Sequence, residues 1–226
     1  MVQVNTDRIA AYWDDYAEVY DREPDHGLLD PDARAAWGDL LRTWLPAPPS
    51  VVADLACGTG TLTALAAEMG HRVRGFDISG EMVARAKVWA ARFGADVEVS
   101  QADVSAPPLG PATVDAVLAR HILWTLPDPH AALAAWAAAV RPGGRLVLVE
   151  GRWASVGDAC FDEPDRMPWS GGVSASALCA AVEPLASRVQ VVTLSDPRLW
   201  GRAIDDERYL LVATLGHPGP PGAGRP

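Results

Sequence analysis

Between Ser50 and Gly70 the chain reads SVVADLACGTGTLTALAAEMG: a short apolar run, a glycine-rich turn, and an apolar segment of helical character closed by glycine. An apolar run without polar alternation suits a strand covered on both faces, which is the situation of strands in parallel sheets. Gly58 and Gly60 let the backbone turn sharply and leave its N–H groups, at the start of the following helix, open to a ligand. A chain that contains this unit is constrained to the α/β class if the unit repeats.

It does repeat. HRVRGFDIS is a second strand ending at Asp77, EMVARAKVWAARFG a helix, and ADVEVSQAD a third strand. TVDAVLARH is a fourth strand after the turn signals between Pro107 and Pro111. DPHAALAAWAAAV is a helix, Pro142 to Gly144 turn the chain, and RLVLVE is a fifth strand. Such alternation builds a doubly wound sheet. Ahead of it, Ile9, Tyr12, Trp13, Tyr16, Val19 and Tyr20 recur at helical spacing, predicting one helix over 6–22. A second N-terminal helix follows Asp30, with Pro31 in its first turn. After Gly151 the stretch 153–172 mixes Gly, Pro, Asp and Ser with large apolar residues and is too long for an ordinary connection. It is expected to be a lid or substrate-lining insertion. SASALCAAVEPL is a further helix, RVQVVTLS and ERYLLVATL are late strands, and GHPGPPGAGRP has the composition of a disordered tail.

The expected organisation is one domain over 1–215, made of a helical cap (1–46), a core (47–151), the insertion (152–173) and a C-terminal part (174–215), followed by the tail 216–226. Formal net charge is −10, and Lys87 is the sole lysine. Phosphate backbones are bound through lysine and arginine, so nucleic acid is not an expected partner. No apolar stretch approaches the roughly 20 residues that cross a bilayer. MVQVNTDRIA has no apolar signal core. A cytoplasmic chain with no membrane partner is expected, either monomer or homodimer. Cys57, Cys160 and Cys179 lack metal-ligand spacing and are expected to be ordinary thiols.

The turn does not carry dinucleotide spacing. In G-x-G-x-x-G, one frame places Thr63 at the third glycine, and the other places Ala56 and Thr61 at two of the three. It instead resembles the D/E-x-G-x-G-x-G motif of the class I S-adenosylmethionine-dependent methyltransferases, here Asp54-Leu55-Ala56-Cys57-Gly58-Thr59-Gly60. Ala56 stands at the first glycine of that pattern and is accommodated if its backbone keeps a negative φ. Asp77 follows about 20 residues later at the end of a strand, where a carboxylate can accept ribose hydroxyl hydrogen bonds. Ala102-Asp103 ends the third strand, and RPGGRLVLVEG, from Arg141 to Gly151, resembles the family's turn and fifth strand.

The resemblance covers roughly 10–150 and implies a seven-stranded, mainly parallel sheet with S-adenosylmethionine as cofactor and S-adenosylhomocysteine as its product. It implies cofactor-binding roles for Asp54, Ala56, Cys57, Gly58, Gly60, Asp77, Ile78, Met82, Ala102, Asp103 and Val104. Within that set Asp103 would hold the adenine amino group, and Ile78 and Val104 would sandwich the ring. AYWDDYAEVYD resembles the family's Y/F-D-x-x-A-x-x-Y-D helix, which implies Tyr20 at the methionine end of the cofactor and Tyr16 near the acceptor. Both tyrosines also fit plain amphipathic packing.

Ligands of open sheets sit in the crevice at the carboxyl ends of the strands, which draws interest to LARHILWTLPDP. His121 has the unperturbed pKa, about 6.5, of a group able to remove a proton from an acceptor. Alternatively it bonds backbone or cofactor while the proton leaves to water. Arg120 can pair with a carboxylate of cofactor or substrate. Trp124, Trp153 and Trp169 can wall an aromatic or cationic substrate. Trp37, Trp44, Trp89 and Trp136 read as helix packing residues. Asp115 and Asp128 flank the expected crevice rather than enter it, and no metal is expected. The expected activity is methyl transfer to nitrogen or oxygen, or to carbon, of a small molecule such as a secondary metabolite. The alternatives are non-methylating chemistry on the same cofactor, such as cyclisation or elimination, and a non-catalytic binding subunit.

Overall fold

A computed structural model describes residues 6–153 and 167–216. The expected insertion therefore lies mostly outside the described residues, and so does the expected tail apart from its first residue. Helices are α1 (Thr6–Tyr16), α2 (Pro24–Gly27), α3 (Pro31–Trp44), α4 (Thr61–Glu68), α5 (Gly80–Ala90), α6 (Pro129–Ala139), α7 (Ala175–Val182) and α8 (Pro197–Trp200). Strands are β1 (Val51–Leu55), β2 (Arg72–Asp77), β3 (Val97–Gln101), β4 (Val114–Arg120), β5 (Val140–Arg152), β6 (Arg188–Thr193) and β7 (Glu207–Thr214). No helix among the described residues is long and apolar enough to cross a membrane.

The seven strands form one sheet in the order β3-β2-β1-β4-β5-β7-β6. β1 to β5 run parallel, and β7 is antiparallel to both β5 and β6. Chain order reverses between β1 and β4, which opens a crevice at their carboxyl ends. The apolar runs follow from burial on both faces. Val52 and Leu118 meet Trp37, Leu62 and Val83 on one side. Ala53 and Val117 meet Leu133, Trp136 and Leu178 on the other.

Local signals set the helix starts. Asp30 caps α3 by accepting from Asp32 N at 2.8 Å and Ala33 N at 3.1 Å. Ser79 caps α5, accepting from Met82 N at 3.0 Å, and Asp128 caps α6, accepting from Ala131 N at 2.9 Å. The four packing tryptophans divide: Trp37 and Trp136 are fully buried, whereas Trp44 and Trp89 are half-buried.

Three expectations are corrected. The helix predicted over 6–22 ends at Tyr16, and Tyr20 begins a separate 3-10 turn ending at Arg22. This break lets the Tyr20 ring stack on His26 at a centroid distance of 4.2 Å. β5 starts at Val140, and Pro142, Gly143 and Gly144 loop out of its ladder, since Val140 pairs with Val114 and Arg145 with Ala116. Ala56 does not keep a negative φ: it stands at +58°, in the left-handed region that favours glycine.

Candidate functional site

The turn after β1 is built from its own side chains before any ligand is considered. Asp54 is buried and accepts a hydrogen bond from the Thr63 hydroxyl at 2.6 Å, and burial pushes its pKa up to about 6. Cys57 donates its backbone N–H to Phe76 O at 2.9 Å, and its thiol is buried, which pushes its pKa up. Gly58 stands at φ +55° with Tyr20 beside it: a Cβ there would lie 3.3 Å from Tyr20 Cε1. Gly60 stands at φ +88°, and a Cβ there would come within 2.9 Å of Ala86 Cβ. The two glycines are thus required by conformation and by close packing.

A narrow cleft opens at the carboxyl ends of β1, β2 and β4. Tyr20, Ala56, Gly58, Asp77, Ile78, Met82, Asp103, Val104, Arg120 and His121 all line it. Asp77 holds the two sides together, with Oδ2 accepting from Gly58 N at 2.8 Å and Oδ1 from Ser79 N at 2.9 Å. Burial raises its pKa, opposed by these N–H donors. Each oxygen keeps a lone pair for a further donor such as a ribose hydroxyl. Met82 and Val104 are buried apolar groups on the cleft wall. Asp103 accepts from Ser105 N at 2.8 Å, so it stabilises its own turn while lining the cleft. Asp54, Cys57, Gly60 and Ala102 do not line this cleft; the first three shape the turn beneath it. An adenosine-bearing ligand fits this constellation: a side-chain-free backbone at Gly58, a buried carboxylate, and an apolar slot.

From α1, Thr6, Ile9 and Trp13 also reach the cleft. Asp14 clips this helix to α5, accepting from Ser79 Oγ at 2.5 Å and Glu81 N at 3.0 Å. Arg120 donates to the backbone carbonyls of Asp25 and His26 and stacks over Trp37, with its Cζ 5.0 Å from the ring centroid. It therefore joins the N-terminal segment to β4.

Beside the cleft is a larger cavity of about 700 Å³. Tyr12, Tyr16, Trp124 and Trp153 line it, together with Trp13, Tyr20 and His121. Those last three also line the cleft, so the two spaces share a wall. Trp169 reaches neither; its ring packs 5.3 Å from that of His130. Of the acids weighed as flanking groups, Asp115 accepts from Val51 N and Arg141, and Asp128 is the cap of α6.

His121 lies at φ +54°, and both ring nitrogens are buried without a hydrogen-bond partner. Burial, seconded by Arg120, Arg208 and His26, holds its pKa well below the ordinary value. The ring is therefore neutral at pH 7 and carries a lone pair. A left-handed residue with a β-substituent persists only when its surroundings fix it. Here His121 N donates to Val149 O at 2.9 Å, and Trp124 Nε1 donates to His121 O at 2.8 Å. Glu150 accepts from Ile122 N and Leu123 N, each at 3.0 Å. Sequence reasoning gave Glu150 no role, because a single carboxylate in RLVLVEG carries no local signal of what it will face across the sheet.

Residues 53–148 match the family described as "Methyltransferase domain". The chain is 35% identical over 100 residues to a ubiquinone biosynthesis O-methyltransferase of Cupriavidus pinatubonensis, covering 43% of this chain and 39% of that protein. It is 32% identical over 145 residues to a demethylmenaquinone methyltransferase of Renibacterium salmoninarum, covering 64% and 59% respectively. The chain thus matches about two-fifths to three-fifths of the length of these relatives. Its fold is similar to a chain from the complex between the Haloferax volcanii Trm112 methyltransferase activator and the putative methyltransferase, with a TM-score of 0.68 at 20% identity, covering 92% of this chain and 98% of that one. Residues 53–148 accordingly match a methyltransferase domain, and the sheet around them has the fold of the class I methyltransferases.

Proposed function

We propose that this chain transfers a methyl group to nitrogen or oxygen, or to carbon, of a small molecule. The observation that carries the reading is the shared wall: Trp13, Tyr20 and His121 border both the cleft and the larger cavity. A donor in the cleft and an acceptor in the cavity would meet there.

Bound S-adenosylmethionine would supply a methyl group on a sulfonium leaving group, so the chain's own task is chiefly to position the reactants, with reacting atoms about 3–3.5 Å apart. Asp77 would take the ribose hydroxyls, Ile78, Met82 and Val104 the adenine faces, and Asp103 the exocyclic amine. Gly58 would admit the backbone-proximal part of the cofactor. Tyr20 and Trp13 would shield the junction from water. His121 would accept the proton of the incoming nucleophile: burial keeps the imidazole unprotonated, the form a base requires. Trp124, Trp153 and Tyr16 would wall the acceptor. A secondary metabolite suits a cavity of this size, within the ~300–1,000 Å³ of small-molecule sites.

Titration calorimetry with S-adenosylmethionine, followed by assay of S-adenosylhomocysteine release in the presence of candidate acceptors, tests the reading. Saturable binding with acceptor-dependent release is expected. Conversion of an acceptor with no S-adenosylhomocysteine formed would overturn it in favour of non-methylating chemistry. His121→Ala is expected to lower kcat by about 10²-fold or more with cofactor affinity unchanged. An unchanged kcat would remove the base assignment.

A further inference from the structure

We propose that the methyl acceptor is an amine carried on an apolar, ring-sized body, bound as a cation between the aromatic wall and the acidic rim of the 700 Å³ cavity. This rests on the methyl-transfer reading and names its substrate class. Among the described residues, the charged groups lining the cavity are Glu23, Asp25, Asp205 and Asp206 against Arg202 and Arg208, an excess of two carboxylates. Arg208 and Asp206 satisfy each other at 2.7 Å, and the Arg208 guanidinium also lies over Trp153 at 5.0 Å and Trp200 at 4.9 Å. That leaves Glu23, Asp25 and Asp205 facing Arg202.

Among the carboxylates lining this cavity, Asp25 acts electrostatically on Tyr20 of the shared wall. The Asp25 side chain is only 15% exposed, and it meets His26 Nε2 at 3.9 Å. Burial lowers the His26 pKa, so that ring answers the carboxylate with no full positive charge at neutral pH. The neighbouring Arg120 guanidinium is directed at the backbone carbonyls of Asp25 and His26. An ammonium ligand would answer the excess of carboxylates on this rim, and the faces of Tyr20, Trp124 and Trp153 would favour it further. A carboxylate or phosphate ligand would meet three acids instead.

Two polar groups on the same wall await partners. Trp153 is 8% exposed, and its Nε1 is buried without an acceptor. His121, as above, has two unpartnered ring nitrogens. A neutral imidazole can accept the N–H of an amine at the junction, and Trp153 Nε1 can donate to an acceptor atom on the ligand body. In the reaction the amine proton passes to His121 or solvent, the nitrogen lone pair forms the new N–C bond, and the S–C bond breaks with its electron pair retained on sulfur.

The test compares three probes sharing one ring system, tryptamine, tryptophol and indole-3-propionate, by calorimetry on the full chain saturated with S-adenosylhomocysteine at pH 7. Tryptamine is expected to bind at least about tenfold more tightly than tryptophol, with the carboxylate weakest. In Asp25→Asn/Asp205→Asn the preference for the amine should fall to about threefold or less, with affinity for S-adenosylhomocysteine retained. The same change in net charge at Glu98→Gln/Glu183→Gln, outside the cavity, should leave the preference intact. Equal or tighter binding of tryptophol or the carboxylate overturns the proposal, and so do absence of binding by all three probes and a preference that survives the Asp25/Asp205 substitutions. If S-adenosylhomocysteine itself fails to bind, the methyl-transfer reading falls. The probe series on the free chain then decides the amine chamber separately, by the same outcomes.

Discussion

Two residues in left-handed backbone bracket the crevice, and each carries a Cβ that this conformation disfavours by roughly 1–2 kcal/mol. Ala56 follows β1 at φ +58°, and His121 follows β4 at φ +54°. For Ala56 the local remedy is direct: Ala56→Gly should raise stability by up to about 1 kcal/mol, the relief of strain exceeding the extra freedom glycine gives the unfolded chain. Urea unfolding measures it, and a loss of similar size would show that the alanine methyl is needed for packing. His121 is held by its own bonds to Val149 and Trp124, and the backbone just after it by Glu150. Glu150 is fully buried, its Oε2 has no partner, and burial pushes its pKa up to about 7, opposed by the Ile122 and Leu123 N–H groups and Arg208. The folded pKa exceeds the unfolded value, so the stability this carboxyl contributes is complete below about pH 4.5 and is lost as pH rises to about 7. Glu150→Gln keeps an acceptor for both N–H groups and has no proton to lose. Its stability relative to the parent should therefore climb across that interval by an amount on the order of 3 kcal/mol. Unfolding titrations at a series of pH values give the difference profile, and a flat difference would refute the buried-acid account.

At the scale of elements, the sheet, its helices and the N-terminal segment have different sources of order. α3 to α6 begin at signals visible in the chain, including Asp30 before Pro31, Ser79 before Gly80 and Asp128 before Pro129. α2 and α8 have four residues each, too few for a period to register. Tertiary contacts hold them: Thr61 Oγ1 donates to His26 O of α2 at 2.8 Å, and at α8 Trp37 Nε1 donates to Leu199 O at 2.8 Å while the Trp37 and Trp200 rings meet edge-on at 5.7 Å. α1 depends heavily on its clip. Asp14 accepts from the Ser79 hydroxyl and Glu81 N at the start of α5, so α1 is tethered across the cleft that Ile9 and Trp13 line. Asp14→Ala should free this helix. S-adenosylhomocysteine should then dissociate about tenfold faster, for the loss of charge-assisted bonds worth about 1.5 kcal/mol, and amides of 6–16 should exchange faster while those of β1 and β4 do not. Stopped-flow displacement and hydrogen exchange read these, and unchanged dissociation would show that the helix does not gate the cleft.

For the whole molecule, a ligand seated at the switch point between β1 and β4 touches both halves of the sheet and the N-terminal segment, so its binding energy should appear as global stability. At a concentration 100 times its Kd, S-adenosylhomocysteine should contribute about 2.7 kcal/mol and raise Tm by roughly 5–11 °C. Asp77→Ala, losing the carboxylate that joins the Gly58 turn to Ser79, should show less than half that rise at the same concentration. A full shift in that variant would place the ligand elsewhere. The chain alone determined the strand-turn-helix alternation, because burial on both faces leaves an unmistakable apolar run at Val52-Ala53 or Leu118-Ala119, and a turn as tight as Gly58-Thr59-Gly60 demands glycine. The resemblance to the methyltransferase motifs pointed to Asp77, Ile78, Asp103 and Val104, and all four line the cleft. What only the tertiary structure decided lies in contacts between segments remote in sequence. The break of the first helix at Tyr16, the left-handed Ala56, the Glu150 carboxyl on the Ile122 and Leu123 N–H groups and the acids that share the larger cavity with Trp153 belong to this class. Each depends on a neighbour brought in by folding, and neither periodicity nor local propensity records where that neighbour will be.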